Sequence, residues 1–192
     1  MFFLPLYSSV IEFRSWRRTF QWFFAPYLDT HTVLILGRKP GLPNGCTLQE
    51  MADDSEPVIA AGLERLGLDR ADVLGMSLGG LIALHYAARF PDQVDHLVVV
   101  AAGGRLSTEA GAKLPDVKAR VREKKWFQPL WTMVDLNFTG PLRNLLRPLL
   151  LFGLPVLPFV RIPTRDFLIS VAAVEEMNLT AVLPCVMCPA LL

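Results

Sequence analysis

Apolar residues recur along this chain at two spacings, and each predicts an element. Thr32-Val33-Leu34-Ile35-Leu36 is a continuous apolar run, as expected of a strand buried on both faces. Ala71-Asp72-Val73-Leu74 reads as a second short strand and His96 to Ala101 as a third, with Leu81 to Phe90 a helix between them. Leu48, Met51, Ile59, Leu63 and Leu66 fall instead at roughly helical spacing, forming one apolar face of a helix kinked at Pro57. Thr47 and Glu50 make a capping box at its start, and Gly67 suits its C-cap. Gly37 to Gly45 is a loop on composition, and the aromatic stretch Ser15 to Leu28 is predicted helical. Strands alternating with helices predict a mostly parallel sheet with helices on both faces.

The alternation stops at Gly103. Leucine-rich helical stretches carrying Trp126, Phe127 and Trp131 take over until Ile169, and Asp166 to Met177 looks like the helix that returns the chain to the sheet. Pro189-Ala190-Leu191-Leu192 reads as the start of another buried strand.

Composition narrows the class. A chain of 192 residues, 52% hydrophobic, suits one domain with a sizeable core and excludes a disordered segment. A net charge of +1 argues against a nucleic-acid surface, and the basic stretch Lys118 to Lys125 reads as a solvated helix face. The apolar run Pro148 to Val160 holds three prolines and falls short of the roughly 20 residues that span a bilayer. It is expected to line a pocket or the core, and no transmembrane span is predicted. The N-terminus lacks a basic segment ahead of its apolar residues, so no signal peptide is predicted. With that, the odd count of cysteines (Cys46, Cys185 and Cys188) favours a reducing, cytoplasmic compartment. Cys185-Val186-Met187-Cys188 matches C-x-x-C but opens no redox helix, so a structural role is expected.

The candidate chemistry lies between the second strand and its helix, at Gly75-Met76-Ser77-Leu78-Gly79-Gly80. Strand, G-x-S-x-G, helix is the context of a nucleophile elbow, a turn so tight that the serine is strained at its apex with its oxygen above the sheet. Gly75 and Gly79 are expected to flank Ser77 because side chains there would collide with backbone. The helix N-terminus offers free N–H groups and a partial positive charge to a developing oxyanion.

With these residues the chain resembles the α/β-hydrolase superfamily, as a bacterial-type esterase or lipase-like member, over residues 16 to 192. Thr47 to Asp54, Leu66 to Gly80 and Phe90 to Val100 carry the resemblance in the expected order. It implies an α/β-hydrolase core over 1–102 and 170–192, with a helical cap over 103–169 that roofs the site. It implies Ser77 as nucleophile, the backbone N–H of Leu78 as oxyanion donor, and an acyl-enzyme with a small apolar or acyl substrate. Trp126 and Trp131 are candidate lining for the substrate. No cofactor and no metal is called for.

A serine needs a base. The candidates are His31, His85 and His96, and geometry argues against each. His31 and His96 stand at strand starts, whereas Ser77 stands at a strand end, and the strand His96 to Ala101 is about 16 Å long at about 3.3 Å per residue, which puts His96 on the wrong side. His85 lies eight residues along the helix, about 12 Å at about 1.5 Å per residue. Asp72 and Asp95 also lie near strand starts, which leaves Glu109 as the acid nearest the right edge. The resemblance implies that the family's acid and histidine follow later strands, and that its earlier strands and His-Gly turn precede Ser15. Gly37 and Arg38 stand where the family often carries an acid. The expectation is the central piece of a hydrolase with both ends lost: either an esterase-type serine hydrolase, or a non-catalytic remnant that binds a small apolar ligand.

Overall fold

A computed structural model describes residues 1–3, 20–125, 132, 140–142, 144 and 163–192. Its centre is a parallel sheet of β1 (Phe2–Phe3), β2 (Ile35–Leu36), β3 (Ala71–Met76), β4 (Val94–Val100) and β5 (Ala190–Leu191), in the order β2-β1-β3-β4-β5. β3 and β4 form its long pair, in register from Val73↔Leu97 to Met76↔Val100. Their inward residues Val73, Val94, Leu97 and Val99 are buried beneath the helices.

The helices are α1 (Leu48–Asp53), α2 (Glu56–Leu66), α3 (Leu78–Arg89), α4 (Thr108–Arg122) and α5 (Thr164–Glu175). The capping box forms as its spacing predicts. The Glu50 N–H donates to Thr47 Oγ1 at 3.1 Å, and the Thr47 N–H donates to Glu50 Oε2 at 2.8 Å. Pro57 does not kink one helix but sits in the first turn of a second, after a break at Asp54 and Ser55. Proline suits that place, because first-turn N–H groups have no intrahelical acceptor. Leu48, Met51, Ile59 and Leu63 are buried as expected, whereas Leu66, in the last turn, is exposed. Gly67 closes α2 at φ 65°, and the Leu68 N–H returns to the Leu63 carbonyl at 3.0 Å.

Three strand expectations change. Residues 32–34 do not pair, because β1 offers only Phe2 and Phe3 as partners for Ile35 and Leu36. The start of the chain does contribute a strand: β1 lies inside the sheet between β2 and β3, while residues 4–14 lie outside those described. β5 forms where predicted, but as the outermost strand, so Ala190 and Leu191 are exposed rather than buried.

Beyond β4, α4 packs on α5 through Leu114, Val117 and Phe167, and Lys118 reaches Glu175 at 2.6 Å. Arg120 pairs with Asp116 and Lys125 with Glu123, so Lys118, Arg120 and Lys125 of the basic stretch each face a neighbouring acid. α5 returns the chain two residues earlier than its sequence pattern predicts. Its Asp166 is buried and accepts the N–H groups of Gly41 (2.8 Å) and Leu42 (3.1 Å), tying the loop after β2 to this helix. Arg38 is buried nearby; desolvation lowers its pKa to about 10, and the Asp166 charge opposes that shift. Trp126, Trp131 and the run Pro148 to Val160 lie outside the described residues. No single helix among those described is long and apolar enough to cross a membrane.

Candidate active site

β3 ends at Met76 and α3 begins at Leu78, leaving Ser77 alone to turn the chain. Its backbone takes φ 54° and ψ −123°, a combination that costs a side-chain-bearing residue about 1–3 kcal/mol. Several hydrogen bonds hold it there. The Ser77 N–H donates to the Val100 carbonyl at 2.8 Å, and the Ser77 carbonyl accepts the N–H groups of Gly80 (2.8 Å) and Leu81 (3.2 Å). Ser77 is thereby pinned to the C-terminal end of β4 and to the first turn of α3.

The turn closes only because two positions lack side chains. A Cβ at Gly75 would run into the Gly79 carbonyl oxygen and stand 2.7 Å from the Gly80 Cα. A Cβ at Gly80 would stand 2.9 Å from that of Ala102. Gly75 is therefore required by contact, as predicted, while on the helix side a crowded position is Gly80. Leu78 is the first residue of α3, where the backbone N–H has no preceding turn to receive it and the helix dipole is positive.

Ser77 opens onto a cavity of 340 Å³ between the sheet edge and the helices α4 and α5. Leu81, Leu114, Val117, Phe167 and Val171 supply much of its apolar wall, and Arg105, Ser107 and Glu109 stand along it on the loop after β4 and the start of α4. Ala101, also on the wall, takes φ 53° as the chain leaves β4. Sequence reasoning missed Ala101 and Arg105: alanine carries no signal for a left-handed backbone, and a lone arginine in a loop reads as solvated surface.

The histidines lie elsewhere. His31 is exposed and bonds Thr30 Oγ1 at 2.7 Å. His85 is half-buried on α3, and burial, then the neighbouring Arg89 charge, hold its pKa below the ordinary histidine value. His96 Nδ1 meets Asp72 Oδ1 at 2.7 Å at the start of the strands, the end opposite Ser77. None of them lines the cavity. Glu109 does line it, and its carboxylate accepts Lys113 Nζ at 2.7 Å, which holds its pKa below the usual carboxylate value. The described residues thus bring together Ser77, the Leu78 N–H and Glu109.

A profile of the alpha/beta hydrolase fold matches residues 14–145, more than half of the chain. The chain belongs to the alpha/beta hydrolase family. A homoserine O-acetyltransferase of Thermus thermophilus is 40% identical over 79 residues, which cover 41% of this chain and 19% of that protein. A pimeloyl-[acyl-carrier protein] methyl ester esterase of Neisseria meningitidis is 54% identical over 39 residues, 20% of this chain and 15% of that esterase. The chain therefore aligns with under a fifth of the length of either. Among solved structures, the alpha/beta hydrolase MGS-M2 from a deep-sea metagenome superposes with a TM-score of 0.70 at 17% identity, covering 98% of this chain and 68% of that one. The enol-lactonase of Burkholderia xenovorans LB400 does so at 0.68 and 17%, covering 98% and 70%. At these identities the structural likeness is one of fold.

Proposed function

We propose that this alpha/beta hydrolase is an esterase-type serine hydrolase with Ser77 as its nucleophile and a carboxylic ester of an apolar acyl group as substrate. The observation that carries the reading is the strained backbone of Ser77, held at a strand-to-helix turn over a largely apolar cavity. Ser77 Oγ bonds to the ester carbonyl carbon, the carbon–oxygen bond to the alcohol breaks, and the alcohol leaves with a proton. Water then releases the acid and restores the serine. The Leu78 N–H, at the positive end of α3, is placed to receive the oxyanion.

A second reading has its own observation: no histidine lines the cavity. On that reading the chain holds an apolar molecule without turning it over. Loss of a triad base removes about six orders of magnitude of rate, so turnover of p-nitrophenyl butyrate by this chain is expected near background. Prolonged incubation with an alkyl fluorophosphonate, followed by peptide mass spectrometry, tests the nucleophile itself. A single adduct on Ser77, absent from Ser77→Ala, is expected. No adduct, together with saturable binding of a fatty acid, overturns the hydrolase reading in favour of the binding one. Fast turnover abolished in Ser77→Ala and unchanged in His31→Ala, His85→Ala and His96→Ala would show that the serine draws on a base other than these histidines.

A further inference from the structure

The charges on the cavity wall do not balance. Among the described lining residues two carry charge, Arg105 and Glu109. Glu109 is neutralised by Lys113, one turn along α4. Arg105 makes no ion pair and no side-chain hydrogen bond to any described residue. It precedes the N-terminus of the 15-residue α4, whose N-cap Ser107 accepts the Ala110 N–H at 3.1 Å. The positive end of that helix adds to the guanidinium rather than offsetting it. The remaining wall is predominantly aliphatic and aromatic.

A wall that is apolar along its length and cationic at one place selects a particular kind of molecule. A neutral chain leaves the guanidinium without a counter-charge, whereas a chain ending in a carboxylate supplies one with the fork geometry that arginine matches. Arg105 is four residues beyond Ala101, so the Cα atoms of Ala101 and Arg105 lie at most about 14 Å apart, and Ala101 follows Val100, whose carbonyl receives the Ser77 N–H. An ester and a carboxylate separated by several methylene groups fit within that reach. We propose that Arg105 is the anionic subsite of this cavity, and that the ligand is the half-ester of an aliphatic dicarboxylic acid, its ester at Ser77 and its free carboxylate at Arg105. The assignment rests on the reading of Ser77 as the reacting end.

Binding of inert amide analogues tests it without requiring turnover. The monomethylamide of octanedioic acid and the neutral N-methyloctanamide differ chiefly in the terminal charge. Affinities are measured by titration calorimetry at pH 7 and low salt for the wild-type chain, Arg105→Gln and Arg105→Lys. The anionic amide is expected to bind wild type about tenfold more tightly than the neutral one, a preference that shrinks with added salt. Arg105→Gln should abolish the preference, and Arg105→Lys should retain part of it. Equal affinities in wild type, a preference that survives Arg105→Gln, or binding of neither amide would each overturn the proposal. Circular dichroism of each variant checks that it is folded; Arg105 is exposed, so no loss is expected. Fluorophosphonate labelling of Ser77 is read separately. Labelling without a charge preference defeats the subsite alone, and a charge preference without labelling defeats the nucleophile alone.

Discussion

A methyl group at position 75 would meet the backbone of the next turn, not a movable side chain. Its neighbours would be the Gly79 carbonyl, the Gly80 Cα at 2.7 Å and the Ala83 Cβ at 2.8 Å. Backbone yields less readily than a rotamer, so Gly75→Ala must open the angle between β3 and α3. Overpacking of this kind typically costs about 1–3 kcal/mol. Gly75→Ala is expected to lower stability by that order in urea unfolding, and to slow fluorophosphonate capture at Ser77 as well. A variant as stable and as reactive as wild type would show that the elbow tolerates a wider turn. At this scale the sequence was most legible where chemistry and sterics coincide: glycines around a serine, between a strand and a helix. It was least legible at Ala101 and Arg105, whose importance comes from what the fold brings near them and not from residue type.

Elements were legible in proportion to how much of their environment is local. The capping box, the Gly67 cap and the β3–α3–β4 unit depend on neighbours within a few residues, and all form as the pattern predicts. β2 depends on a partner more than thirty residues away, and its length is set by that partner rather than by its own apolar run. α2 depends on where a proline is tolerated, which helical periodicity alone does not reveal. The contact between the loop after β2 and α5 was not legible at all, since Asp166 lies over 120 residues from the amides it receives. Removing that buried carboxylate leaves the Gly41 and Leu42 amides without their acceptor. Asp166→Ala is expected to cost on the order of 3 kcal/mol in urea unfolding, and Asp166→Asn less, because its side chain keeps one acceptor oxygen. Equal stability of Asp166→Ala and wild type would show that the loop stands without this anchor.

Over the whole molecule, the strand order puts the two ends of the described chain at very different places. β5 is an outer strand with Leu191 and Leu192 exposed, whereas β1 lies inside, its register joining Phe2 to both Ile35 and Leu74. Among the described residues β2 touches the sheet only through β1. The Met1 amino group bonds the Asp72 carbonyl, and the Leu74 N–H reaches the Met1 carbonyl at 2.7 Å, so a three-residue segment bridges the two halves of the sheet. Time enters through this bridge. The β3–α3–β4 unit closes through short loops and is expected to form first, while docking the opening residues closes a loop of some seventy and comes late. Pulse-labelled amide exchange during refolding should then protect β3 and β4 before the amides of β2, with β1 and β2 acquiring protection together. Protection of β2 ahead of β4 would show instead that the sheet assembles from its other side. A chain emerging residue by residue thus presents β1 early and waits for the serine-bearing strand before it has a place to put it.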